Sequence, residues 1–270
     1  FMTIEEDLTF EIPWATGQIG WDVIIRNGQL YVSAPSYGLN GSSGIVWMLR
    51  NLEQDDGTLA WSFNAYLSPP IEILQSQFGY MVDSNESVVA ISAPYAEGKG
   101  AIYLYDCDFE DPNFPTFPYL GQIQLNDLNE GDLFGSSFVM GDTYVFCGST
   151  GSDLHGPDHG RVSIVNQSDI QPPANQSVSY DTATALDTFD ELVPSAISVS
   201  GNRVVLGVPH AAGGNGLVQL VDNQNGSWVL DAELFESPDG VPNIFGFSVS
   251  QSEHLLAVGA PGTNGSGAVH

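Results

Sequence analysis

Three groups of side chains in this chain have types and spacings that chemistry could use. His155, Asp158 and His159 stand together, and two imidazoles flanking a carboxylate resemble a metal donor set. They lie in a loop with no fourth ligand beside them. Convergence of His210, in the corresponding loop of the next repeat, on this pair would strengthen such a site. Asp106, Asp108, Glu110 and Asp111 crowd around Cys107 and offer the hard oxygens that calcium prefers. The ordered spacing and the glycine of a calcium loop are missing, so this group reads as a solvated acidic turn. Asp127, Glu130 and Asp132 read the same way. The sequence has no nucleophile elbow, no HExxH, no phosphate-binding glycine loop and no defensible Ser/His/Asp arrangement. No catalytic residue, metal or cofactor is expected on these grounds. A hydrolase would need two carboxylates facing each other across a pocket, and sequence alone does not pair them.

The elements that must position these residues come from a repeat. Phe78-Gly79 is followed by Ser92-Ala93-Pro94, and Phe245-Gly246 by Gly259-Ala260-Pro261. Ile19-Gly20 leads to Ser33-Ala34-Pro35, Phe134-Gly135 to Gly148-Ser149-Thr150, and Pro194-Ser195 to Gly207-Val208-Pro209. The corner positions 35, 94, 150, 209 and 261 lie 59, 56, 59 and 52 residues apart. A fixed period of this size means an array of supersecondary units. Each unit reads as four strands: one after the Phe-Gly pair, a tight polar turn, a very apolar second strand, and a third that opens on glycine. The fourth is weaker and carries an aromatic and an apolar residue six apart: Trp61 with Leu67, Phe117 with Ile123, Trp228 with Leu234. Even spacing predicts that both lie on one face. No segment keeps a helical period. The expected fold is all-β, a β-propeller of five blades of four antiparallel strands, in one domain spanning 1–270. Its repeat units are approximately 19–77, 78–133, 134–193 and 194–244, with 245–270 plus 1–18 as the last. The last copy ends in its third strand, and Thr3 to Ile12 is a strand-like segment without a partner. The N-terminal strand is therefore expected to complete the last blade of its own chain; the alternatives are completion of a neighbouring molecule's last blade and a window cut from a longer propeller.

Composition narrows the partners. Thirty-three acidic residues against four Arg and one Lys give a net charge of −28, which repels phosphate backbones and anionic lipid. Nucleic acid is excluded, and no apolar run is long enough to insert as a membrane helix. Apolar content of 42% supplies a real core. Two cysteines make no disulfide framework. Cys147 occupies the position of Val32, Ile91, Leu206 and Val258 and reads as core, and no bond to Cys107 is expected. The chain opens Phe1-Met2-Thr3 and reads as a processed or excised piece. Sequons at Asn40, Asn85, Asn166, Asn175, Asn225 and Asn264 all fall in expected turns or loops.

Residues 78–106, FGYMVDSNESVVAISAPYAEGKGAIYLYD, resemble the FG-GAP repeat of integrin-α-type β-propellers, in its calcium-free branch. Residues 245–270 match as well, and the resemblance covers essentially the whole chain in five copies. It implies an extracellular or cell-surface location, adhesion, and protein–protein contact without catalysis. Two features depart from the family. The turns between first and second strands are too short for its calcium loop, and integrin propellers have seven blades. The expectation is a non-enzymatic, secreted, glycosylated adhesion or structural propeller, contacting protein partners or copies of itself, including as a subunit of a surface or filamentous assembly. A glycan-binding propeller is the second expectation, and a glycoside hydrolase-type enzyme the third.

Overall fold

The computed structural model describes residues 17–26, 28–38, 43–53, 59–71, 73–85, 87–107, 117–153, 160–167, 177–180, 184–186, 195–236 and 242–270. It is an all-β, five-bladed β-propeller. Blade one is β1 (Val23–Arg26), β2 (Gln29–Ala34), β3 (Ile45–Glu53) and β4 (Leu59–Leu67). Blade two is β5 (Val82–Ser84), β6 (Val88–Ala93), β7 (Ala101–Asp106) and β8 (Tyr119–Leu125). Blade three holds β9 (Phe134–Met140), β10 (Tyr144–Ser149), β11 (Arg161–Asn166) and β13 (Thr184–Leu186). Between the last two runs β12 (Ser177–Tyr180), which pairs parallel with β8 and widens blade two to five strands. Blade four is β14 (Ala196–Ser200), β15 (Arg203–Val208), β16 (Leu217–Gln224) and β17 (Ser227–Leu234). Blade five contributes β18 (Ser248–Gln251), β19 (Leu256–Ala260) and β20 (Ala268–Val269). The inner strands touch in the order β1, β5, β9, β14, β18, which is the order around the axis. The expected fourth strand of the last blade, Thr3 to Ile12, lies outside the described residues.

The repeat signature is the joint between blades. The glycine that opens each third strand makes a parallel bridge to the Phe of the next blade: Gly44 to Phe78, Gly100 to Phe134, Gly216 to Phe245. All three glycines have positive φ, and a Cβ on any of them would come within 2.2 Å of that phenylalanine's carbonyl oxygen. Only glycine permits so close a backbone approach. The glycine of the Phe-Gly pair then tucks against the preceding blade. A Cβ on Gly135 would meet Ser92 Cβ and Ile102 Cγ1, each at 3.1 Å. Blade four has lost the Phe, and no such bridge joins Gly160 to it among the described residues.

Apolar faces complete each joint. Val46 and Met48 of blade one pack with Val82, Val89 and Ile91 of blade two. Ile102 and Leu104 pack with Phe138, Val145 and Cys147, and Val162 and Ile164 with Val204 and Leu206. Burial of this kind contributes about 1.5–3 kcal/mol per large side chain. The same register position is 0% exposed at Val46, Ile102, Val162 and Val218 but 79% exposed at Val269. On the facing side Ile19, Trp21, Val23 and Ile25 are also exposed. The described residues therefore leave the seam between blades five and one uncovered.

One sequence expectation fails for a geometric reason. Trp61 pairs with Asn51 and Leu67 with Val46, partners five apart, because the register shifts between Met48 and Leu49. Trp228 pairs with Asn223 and Leu234 with Val218 across a similar shift. A β-bulge adds one residue to the fourth strand and moves the aromatic to the opposite face from the apolar residue. Phe117 precedes β8 altogether. Cys107 and Cys147 are both buried and form no disulfide.

Candidate functional site

Each inner strand alternates side chains between its two neighbouring blades. On β5, Asp83 points toward blade three: its Oδ2 accepts the Met140 N–H at 2.8 Å, and its Oδ1 accepts the Ser84 N–H at 2.9 Å. Asp22, one residue before β1, points toward blade two and accepts the Val82 N–H at 2.8 Å. In blade four Ser198 occupies the position of Asp83, and its hydroxyl accepts the Gln251 N–H of blade five at 3.1 Å. A backbone amide of the next blade thus aims each of these groups. Asp22 and Asp83 are the two that carry ionisable chemistry.

Their environment makes both carboxyls hold protons more tightly than usual. Burial raises the pKa of Asp22, against the amides of Val82 and Val23. Burial also raises Asp83, and the charge of Asp22 adds to it, against the amides of Met140 and Ser84 and the Arg26 guanidinium. Arg26 Nη2 stands 3.7 Å from Asp83 Oδ1. Ser84 and Met140, the two residues whose amides Asp83 accepts, line a cavity of about 460 Å³ at the turn end of the inner strands. Arg26, Ser87, Gly141 and Asp142 complete much of its wall. Two partly or fully buried carboxyls on neighbouring blades, one more buried than the other and flanked by a guanidinium, can divide the roles of proton donor and ionised partner.

The residues singled out by sequence fare differently. His155, Asp158, His159, Asp108, Glu110 and Asp111 lie outside the described residues. Asp106 ends β7, half-buried, and its N–H donates to the Pro118 carbonyl at 2.9 Å. His210 is exposed beside the short helical turn Ala211–Gly214. Asp127 accepts from the buried Arg161 at 2.7 Å, Glu130 is exposed, and buried Asp132 accepts the Asn129 N–H. Among the described residues no three His, Cys, Asp or Glu side chains gather as metal ligands. Of the sequons, Asn40 and Asn175 are outside the described residues, Asn225 is exposed in a turn, and Asn264 lies in the 3-10 turn Thr263–Gly265. Asn166 ends strand β11 and does not lie in a loop. Asn85 is half-buried, with Oδ1 accepting from Ser87 and Val88 and Nδ2 donating to Gln167 Oε1. Asp22 and Asp83 escaped the sequence reading. Their signal is an acidic residue at or beside an inner strand whose neighbours are apolar, but strand adjacency was needed to pair them.

The fold and this arrangement define a five-bladed propeller with two carboxyls, Asp83 on the inner strand of blade two and Asp22 just before that of blade one. No family model matches the chain, and no curated protein matches it. Among solved structures the fold is similar to an alpha-L-arabinofuranosidase from Lactobacillus brevis. That match has 14% identity and a TM-score of 0.45, covering 89% of this chain and 82% of that one. It is also similar to an exo-1,5-alpha-L-arabinanase from a bovine ruminal metagenomic library. Here identity is 12% and the TM-score 0.35, covering 92% of this chain and 89% of that one. Both names are those of carbohydrate-cleaving enzymes, neither an adhesion protein. The expectations of a non-enzymatic adhesion or structural module and of no enzymatic activity are corrected on this finding. The physical reason they arose is that the joint residues of the repeat say how blades stack and nothing of what the inner strands carry.

Proposed function

We propose that the protein is a carbohydrate-active hydrolase of the two-carboxylate type. The observation that carries this reading is the Asp22/Asp83 pair, each carboxyl held on a backbone amide of the next blade, with burial raising both pKa values. Glycoside cleavage needs one carboxyl protonated near neutral pH and a second ionised. Asp83, the more buried and the one raised by its partner's charge, serves as proton donor to the glycosidic oxygen. Asp22 serves as the ionised partner that activates water or stabilises the developing positive charge at the sugar carbon. The bond from that carbon to oxygen breaks, water supplies the new hydroxyl, and the proton on Asp83 is restored from solvent. Arg26 helps to orient the Asp83 carboxyl.

The test is turnover by the purified chain on aryl glycosides and neutral polysaccharides, with α-L-arabinofuranosides and 1,5-α-L-arabinan tried first. Asp83→Asn removes the proton and keeps one of the two oxygens that accept backbone N–H groups, and it is expected to lower kcat by about 10²–10⁴-fold. Absence of turnover across the panel, or wild-type turnover in both Asp22→Asn and Asp83→Asn, would sink the reading.

A further inference from the structure

A second cavity, of about 380 Å³, lies at the loop end of blade two, away from the turn-end cavity beside Asp83. Its wall combines Ile71 and Ile73 from the connection into blade two, Glu97 from the β6–β7 loop, Tyr103 on β7, and Tyr119 and Gln122 on β8. We infer that this cleft is a binding site for a neutral saccharide, separate from the Asp22/Asp83 pair and not dependent on the hydrolytic reading.

Five observations carry the inference. The volume falls in the range of small-ligand pockets. The aromatic wall is rigid: Tyr119 packs on Tyr103 and Tyr105 at centroid distances of 6.3 and 5.7 Å, and the Tyr105 hydroxyl is fixed on the Ser68 carbonyl at 2.6 Å. Burial raises the pKa values of Tyr103 and Tyr119, so their hydroxyls stay neutral donors. The polar groups form a loose line of donors and acceptors. Tyr119 Oη meets Gln122 Oε1 at 3.5 Å, Gln122 Nε2 meets Gln124 Oε1 at 3.3 Å, and Gln124 Nε2 meets Glu97 Oε2 at 3.4 Å. Contacts this long leave hydrogen-bonding capacity for vicinal hydroxyls. Glu97, a non-glycine residue, is held at φ +52°, a conformation that costs energy and places its carboxylate at the rim.

The repeat itself does not demand this cleft. In blade four the positions of Tyr103 and Gln122 are Gln219 and Glu233, and those side chains hydrogen-bond to each other at 3.0 Å. Blade two instead carries an aromatic and an amide that do not satisfy each other. An apolar face beside planar amides and one carboxylate matches a sugar ring, whose C–H face stacks and whose hydroxyls both donate and accept. Among the described residues no Arg or Lys lines the cleft, and Glu97 repels acidic or sulfated sugars.

The experiment is calorimetric titration and saturation-transfer NMR with neutral pentasaccharides of the cello, xylo, manno, malto and arabino series. At least one is expected to bind, with saturation on the Tyr119 ring. Tyr119→Ala should weaken it by about tenfold or more, and Gln122→Ala by about threefold or more. Gln122 is half-buried at the cleft wall, and its variant, checked for folding by circular dichroism, stays informative if Tyr119→Ala unfolds. Asp83→Asn should leave this binding unchanged while lowering any turnover by about 10²-fold or more, which separates the two readings. The inference is overturned if no member binds at about 10 mM, a level that excludes any useful affinity. It is equally overturned if binding survives both cleft substitutions, or if a quaternary ammonium such as choline occupies the cleft in preference to every saccharide.

Discussion

Gly100→Ala is the sharpest probe of how the blades are joined. Gly100 sits at φ +99°, and a Cβ there would lie 2.2 Å from the Phe134 carbonyl oxygen and 2.5 Å from its nitrogen. Both are backbone atoms and cannot swing aside. The left-handed conformation alone costs an L-residue roughly 1–2 kcal/mol. Separating the strands enough to admit the methyl breaks the hydrogen bond from Phe134 N–H to the Lys99 carbonyl, now 2.9 Å. That loss adds about 1 kcal/mol, more if the amide stays buried without a partner. Phe134, fully buried between blades two and three, is displaced as well. The expected loss is therefore about 3 kcal/mol or more, summing conformational and hydrogen-bond terms. Gly226→Ala is the matched control. It has φ +89°, and nothing lies within 4 Å of a Cβ there, so only the conformational cost applies. Urea unfolding of both variants, followed by tryptophan fluorescence, reads the difference. A Gly100→Ala midpoint no lower than that of Gly226→Ala would refute the argument that the repeat's glycine exists to let two blades touch.

Other consequences follow from particular contacts. At Gly148 a Cβ would lie 2.1 Å from Ser137 Oγ, whereas in blades one and two the corner residue is itself a serine, Ser33 or Ser92, accepting an inner-strand amide. Gly148→Ser should destabilise by about 1–3 kcal/mol, and adding Ser137→Ala should recover most of it, a coupling that a double-mutant cycle measures. For Asp83 the sign runs from its raised folded-state pKa. Below the ordinary value of 3.8 both states are protonated, and as pH rises through the raised value the folded state must charge a buried group. Wild type should therefore lose stability relative to Asp83→Asn as pH climbs from about 4, then run parallel to it, and denaturation across that range checks the slope. Arg161 is 5% exposed and has Asp127 as its ion partner. Asp127→Ala should destabilise more than Arg161→Met, because the first leaves a buried cation unpaired and the second removes it.

Much of the architecture was legible because its signals are local. Phe-Gly, the Ala-Pro corner and the strand-opening glycine recur at a fixed period, and each is needed where one backbone meets another. What stayed illegible depends on contacts between distant segments. The bulge opposite Met48/Leu49 reverses the face of Trp61, and no residue type in that strand announces it. The parallel pairing of β12 with β8 joins segments more than fifty residues apart and has no turn signature. Asn166 reads as a loop sequon, yet the strand runs one residue into it. The Asp22/Asp83 pair required knowing that β1 and β5 are neighbours around the axis, and the Tyr119 cleft required knowing that Gln122 faces Glu97's loop.

The most direct test of the central claim is a time course of glycoside cleavage followed by proton NMR, with wild type, Asp83→Asn and Asp22→Asn side by side. The account predicts release of reducing sugar by wild type and a fall of about 10²-fold or more in each variant, with both variants still folded by circular dichroism. Wild type that releases no sugar from any glycoside in the panel, or variants that match it, would contradict the assignment of catalysis to these two carboxyls.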